Sequence, residues 1–406
     1  MEMASFASIA QQVKLDILSK THVDDNAAKR KEIARTFISD TITVPTKEMY
    51  EYATLSTIGD DVYFEPSTKA LEVHMAQLTG KEAGLFVPSG TASNQIALRS
   101  HLLQPPYSVL CDHRAHIHKY EAGGAAFHSG AAVTALIPSN GHHLTLNDVT
   151  QNMILGTDTH FAPTEVVALE NTLNGTIFPQ EEIIAISDYV HSHGKKLHLD
   201  GARIWHVAAE TQTSLKELCD PADSVSLCFS KGLGLILNKG APIGSCLVGS
   251  TAFIAKARWI RKLFGGGMRQ TGILAASAAY ALTYNFPLLP HVHDLARRLE
   301  AGLEEIGVEI TSKAETCMIF YDPSSVGVTY DEIADRASDL PEPLVLGGSR
   351  LVVHIQTSES AVADFLSLVR QLAEEKKAAG FVKPESTTNG SQYKDIYVRR
   401  VPKKTA

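Results

Sequence analysis

EVVALENTLNGTIFPQEEIIAISDYVHSHGKKLHLD, residues 165–200, reads as strand, turn, helix and strand. Two short apolar runs, EVVALE and KLHLD, flank PQEEIIAISDYVHSHG, whose apolar residues recur at helical spacing before a closing glycine. Two strands joined through a helix lie parallel in one sheet, because a parallel pair needs a crossover of a dozen or more residues. The same alternation extends outward on both sides. GLFVPSG (84–90) precedes the helical TASNQIALRSHLL; then come SVLCD (108–112), AVTALIP (132–138), SVSLCFSK (224–231) and GSCLVGS (244–250). The predicted fold is therefore α/β, with a large domain built on a mostly parallel sheet.

From about residue 285 the pattern changes to a long helix (HVHDLARRLEAGLEEIG), short strands around VEITSK, CMIFYD and RLVVHIQT, and a last helix from ESAVADF. This predicts a smaller C-terminal α+β domain. The expected division is 1–35 as an N-terminal helical extension, 36–284 as the large domain, 285–382 as the small domain and 383–406 as a polar tail. A chain of 406 residues suits about two domains.

The chain is 44% hydrophobic and 20% charged, the composition of an ordinary globular protein. Its net charge of −8 and lack of a basic stripe argue against nucleic acid as a partner. The N-terminal segment carries polar and charged residues inside every apolar stretch, which offers neither a signal-peptide core nor a membrane span. Five widely spaced cysteines without a C-x-x-C pair read as buried thiols in a reducing compartment, so the expected location is cytoplasmic.

Ligands of open α/β sheets sit beyond the carboxyl ends of the strands, which directs attention to the polar residues that follow each apolar run. Ser89-Gly90-Thr91 ends one strand and opens a helix, where free N–H groups and the helix dipole suit a phosphate; an ordinary helix cap is the plainer alternative. Asp200 ends KKLHLD, where a carboxylate can keep the pyridine nitrogen of pyridoxal 5′-phosphate (PLP) protonated, although Asp is also a common turn residue. Lys231 ends SVSLCFSK, where a lysine in a low-dielectric site can form an imine with an aldehyde. His116, in DHRAHIHKYEAGG (112–124), offers a ring that can stack on a cofactor.

Taken together these segments resemble the L-threonine aldolase family of fold-type I PLP enzymes, from Ser39 to about residue 372. The likeness is carried by SDTIT (39–43), GDDVY (59–63), PSGTASNQ (88–95), AHIHKYEAGG (115–124), ALENTLNGT (168–176), HLDGARIW (198–205), FSKGLG (229–234), APIGS (241–245), RKLFGGGMRQTG (261–272) and RLVVHIQTS (350–358). The resemblance implies Lys231 as the Schiff-base lysine, Asp200 against the pyridine nitrogen, His116 as the stacking ring, and Ser89, Gly90 and Thr91 at the phosphate. It implies Ser39, Arg203 and Arg350 at the substrate carboxylate, with Arg203 also near the cofactor, and His160 near the substrate hydroxyl. Lys262, Arg269 and Tyr63 would reach a neighbouring subunit's site, in a homo-oligomer that is a dimer or a tetramer.

Three stretches depart from the family pattern: Tyr63-Phe64-Glu65, which sets a bulky Phe64 beside the expected pocket, an insertion at 235–240 after the catalytic lysine, and, more mildly, the LVVHIQTS that follows Ser349-Arg350. The implied reaction is cleavage of L-threonine, L-allo-threonine or a related β-hydroxy-α-amino acid to glycine and an aldehyde. The alternatives are an amino-acid (alanine) racemase on the same scaffold, and a non-catalytic binding protein, whose signature would be loss of Lys231 or Asp200.

Overall fold

The computed structural model describes residues 11, 13–15, 25–231 and 241–383. The large sheet contains β1 (Ala83–Val87), β2 (Ser108–Asp112), β3 (Ala132–Leu136), β4 (Thr164–Glu170), β5 (Lys196–Asp200), β6 (Ser224–Cys228) and β7 (Ser245–Gly249), in the order β1-β7-β6-β5-β4-β2-β3. Strands β3, β2, β4, β5 and β6 are mutually parallel, and only β7 runs against its two neighbours. The central strands are buried along their length, as sheets covered on both faces require.

The small sheet is antiparallel, with β8 (Glu309–Ser312), β9 (Met318–Asp322) and β10 (Arg350–Val352) in the order β10-β9-β8. The helices Leu289–Ile306 and Glu359–Ala378 bury one face each beside it. The stretch Gly272–Ile306 is long and apolar enough to cross a membrane, but half of its most apolar window is buried within the protein, and a 3-10 turn at Phe286–Leu288 interrupts it.

Residues 35–37 tie the N-terminal segment to this small domain. Phe37 N–H donates to Val345 O (2.9 Å), Val352 N–H donates to Phe37 O (2.9 Å), and Arg35 donates to Asp364 (2.7 Å). That anchoring carries Ser39 and Asp40 to the carboxyl ends of the large sheet, where Arg203 meets them. All five cysteines are free and buried, in line with the reading of isolated thiols.

Candidate active site

Parallel register sets Glu170 beside Asp200 as Cα partners at the carboxyl ends of β4 and β5. Lys231 follows β6, three residues past Cys228. The end of β6 is held firmly: Trp205 Nε1–H donates to Cys228 O (2.8 Å), Phe229 N–H donates to Gly244 O (3.1 Å), and the Phe229 ring packs between Trp205 and Phe86. Lys231 stands close enough to Asp40 and Glu170 for its charge to lower both of their pKa values.

Asp200 is buried and accepts from Asn94 Nδ2 (2.7 Å) and from Ala202 N–H (3.0 Å). His116 opens a short helix after β2, with its N–H bound to a Glu170 oxygen (2.8 Å) and Nδ1 to the buried Glu121 (2.7 Å). A carboxylate only accepts, so the bond to Glu121 uses an Nδ1–H and leaves Nε2 on the open side of the ring. The polar atoms of His116, Glu121 and Asp200 lie within 4.8 Å of one another.

Glu170 escaped the sequence reading, although it ends an apolar strand as Asp200 does. Burial first, and then the Asp200 carboxylate, push its pKa from the ordinary value of 4.5 up to about 8. A group with a pKa raised by folding contributes stability below its unfolded value and loses it as pH rises through its folded value. Glu170→Gln should therefore flatten the decline in melting temperature of the cofactor-free protein between about pH 5 and pH 9. Parallel melting series on the two proteins check this; equal declines would assign the pH dependence to other groups.

Arg203 has one edge of its guanidinium engaged inside the protein, which leaves only Nη1 for the expected carboxylate clamp. Its Nε and Nη2 grip the two oxygens of buried Asp40 (2.7 Å each), so that edge of the fork is spent inside the protein. Burial alone would raise the Asp40 pKa, but the guanidinium outweighs it and holds the carboxyl well below the usual range. Arg350 Nη2 donates to Ile38 O (3.3 Å), so the two arginines bond to the residues on either side of Ser39 in the chain. Ser39 itself caps the 3-10 turn at Asp40–Ile42, accepting from Thr41 N–H (3.2 Å).

Ser89 caps the helix Gly90–His101, accepting from Ala92 N–H (3.1 Å), and the helix opens beside β6. A Cβ at Gly90 would meet Cys228 Sγ at 2.6 Å, which explains the glycine by close approach. The side chains of Ser89 and Thr91 are not buried at this opening.

The structure does not bring His160 to this cluster. It precedes β4, in a segment joined to the strands' amino ends by Ser108 N–H to Pro163 O (2.7 Å), and is 85% exposed with Nδ1 on Asp158 (2.7 Å). The site occupies the opposite, carboxyl end of that strand. Within one chain His160 therefore stands at the other end of the strands from Lys231. Tyr63 (81% exposed), Lys262 and Arg269 also face outward; Arg269 donates to Asp60 (3.1 Å). Phe64 is exposed too, with its ring under the Arg258 guanidinium (5.6 Å). The insertion at 235–240 lies outside the described residues.

The donor set suits PLP: a buried carboxylate, a lysine just past the end of the neighbouring strand, a half-buried imidazole beside the carboxylate, and an open helix start where glycine alone fits.

Comparison with known proteins adds an independent line. The family model described as beta-eliminating lyase matches residues 36–325. A probable low-specificity L-threonine aldolase of Schizosaccharomyces pombe is 42% identical over 352 residues, covering 86% of this chain and 90% of the relative. An alanine racemase of Cochliobolus carbonum is 36% identical over 345 residues, covering 83% and 87%. Among solved structures, a threonine aldolase of Leishmania major superposes with a TM-score of 0.71 at 21% identity, over 83% of this chain and 99% of that one, a likeness of fold.

Proposed function

This chain belongs to the beta-eliminating lyase family, and on that premise we propose that it is a PLP-dependent aldolase cleaving L-threonine, L-allo-threonine or a related β-hydroxy-α-amino acid. The observation that carries the reading is the placement of Asp200, Glu170 and Lys231 at the ends of three adjacent parallel strands in a chain 42% identical to a named aldolase.

When bound, PLP draws the electron pair of a substrate Cα bond into its protonated pyridine ring. Asp200 would face that nitrogen and favour its protonated form. Lys231 would hold the cofactor through its amine and could also carry a proton within the site. Arg350 and the Nη1 edge of Arg203, with Ser39 between them, hold the substrate carboxylate and so fix which Cα bond stands in line to break. His116 Nε2 takes the proton of the β-hydroxyl. As the Cα–Cβ bond breaks, the hydroxyl carbon becomes the aldehyde, and a proton delivered to Cα completes glycine. Glu170, carrying its proton near neutral pH, places no second negative charge beside Asp200.

Tyr63, Lys262, Arg269 and His160 act in a neighbouring subunit's site, which makes the working form a homo-oligomer, dimer or tetramer. Five buried thiols suit a reducing compartment, and we place the enzyme in the cytoplasm.

Racemisation of alanine is the second reading, favoured by the racemase relative and by two proton-carrying groups, Lys231 and Glu170, in one site. Incubation of purified protein with L-threonine, L-allo-threonine and L-alanine separates the two. The expected outcome is glycine and acetaldehyde in equal amounts from the first two. D-alanine from the third without acetaldehyde from the others would replace the aldolase with the racemase.

A further inference from the structure

A line of side chains runs under the sheet's central strands, from a cleft at their amino ends to the Asp200 carboxylate. His101 Nε2 lies 2.8 Å from Ser224 Oγ, Ser224 Oγ 2.8 Å from His198 Nδ1, and His198 Nε2 3.1 Å from Asn94 Oδ1. Asn94 Nδ2 then reaches Asp200 (2.7 Å) and Glu121 (2.9 Å). Asn94, His198 and Ser224 are all buried.

The direction of every bond follows from the acceptors at one end. Asp200 and Glu121 are carboxylates, so Asn94 must present its NH₂ to them, with both hydrogens used and Oδ1 turned towards His198. An amide oxygen only accepts, so His198 carries its proton on Nε2. Burial pushes the His198 imidazole down to about 4, so at neutral pH Nδ1 is bare and must accept. Ser224 therefore donates to Nδ1 and in turn accepts from His101 Nε2–H. Four consecutive donors point at Asp200, and their dipoles add in a low-dielectric interior.

We infer that His198 is a positioning residue for the cofactor's pyridine nitrogen: locked in its Nε2–H form by Ser224, it fixes the Asn94 amide with its NH₂ on Asp200, the carboxylate that would face that nitrogen. Resting on the PLP reading, the inference adds a control of Asp200 from the far end of the sheet. Without the Ser224 hydroxyl, His198 is free to move its proton to Nδ1. Its bare Nε2 would then face Asn94 Oδ1, and the amide would gain by turning, which would aim a carbonyl at Asp200.

The direct test is made on the cofactor-free protein, so that it stands apart from the PLP assignment. Nitrogen-15 NMR of labelled histidines, with the His198 signals identified by their loss in His198→Asn, should show a protonated Nε2 and a bare Nδ1 at neutral pH. A proton on Nδ1, or on both nitrogens, would overturn the proposal. Ser224→Ala should abolish that preference. In the holoenzyme it should weaken PLP binding by about tenfold, the scale of one charge-assisted hydrogen bond. It should also move the pH midpoint of the lysine-bound cofactor's visible band upward, because a ring that loses its pyridinium charge lets the linking nitrogen hold its proton to higher pH. Ser224→Thr, which keeps the hydroxyl, should restore the wild-type midpoint. An unmoved midpoint in Ser224→Ala would overturn the proposal even where PLP binds normally, and the wild-type tautomer decides the matter if either variant fails to fold. A wild-type protein that binds no PLP at all would sink the functional reading and leave the tautomer result standing.

Discussion

Lys231→Ala protein is expected to fold, to lose covalently held cofactor, and to cleave L-threonine slower by on the order of 10⁴-fold or more, the scale reached when a covalent-catalysis residue is removed. Folding should survive because the hydrogen bonds that fix the end of β6 are made by the Cys228 carbonyl and the Phe229 N–H, not by the Lys231 side chain. The loss is large because two roles fall on one amine: attachment of the cofactor and movement of a proton within the site. A secondary effect follows from electrostatics. Lys231's charge lowers the pKa of Glu170, so the alanine variant should hold the Glu170 proton to still higher pH. Rate assays with threonine and a visible spectrum check the main effect; turnover close to wild type would show that another lysine carries the chemistry.

Asp200→Asn should lower kcat by about 10²–10³-fold, the range found when a preorganised electrostatic stabiliser is removed. A neutral amide does not hold a pyridine nitrogen protonated as a carboxylate does. The substitution also disturbs its own surroundings. Asp200 accepts from both Asn94 Nδ2 and Ala202 N–H, and an amide with one oxygen satisfies only one of them while its NH₂ faces the other donor. That buried mismatch should cost about 1–3 kcal/mol of stability. Removing the Asp200 charge should also bring the raised pKa of Glu170 down. Steady-state kinetics with a denaturation curve test these together, and a kcat effect below about tenfold would reduce Asp200 to a turn residue.

Much of this site was legible because its residues terminate apolar strands, and a strand end is a readable event. SVSLCFSK and KKLHLD announce Lys231 and Asp200 by where hydrophobicity stops, and the family likeness attaches roles to them. Glu170 ends a strand in the same manner, yet its raised pKa comes from Asp200 on the neighbouring strand, and pairing is a property of the sheet rather than of the run. Asp40 lies beside Ser39 in the quoted SDTIT, but its bond to Arg203 joins residues 163 positions apart through the small domain's hold on the N-terminal segment. The antiparallel insertion of β7 between β1 and β6 is likewise invisible in a run that reads as one more strand. His160 shows the converse. A motif names the residue and is silent about which copy of the chain uses it, and only the strand's direction separates the two ends.

The site claim rests finally on where the cofactor is attached. Borohydride reduction of the PLP-loaded wild-type protein, followed by peptide mass mapping, should place the pyridoxyl group on Lys231 alone, and saturating L-threonine added before reduction should free that lysine. Label on any other lysine, or a Lys231 peptide left unmodified while the visible band disappears, would contradict it.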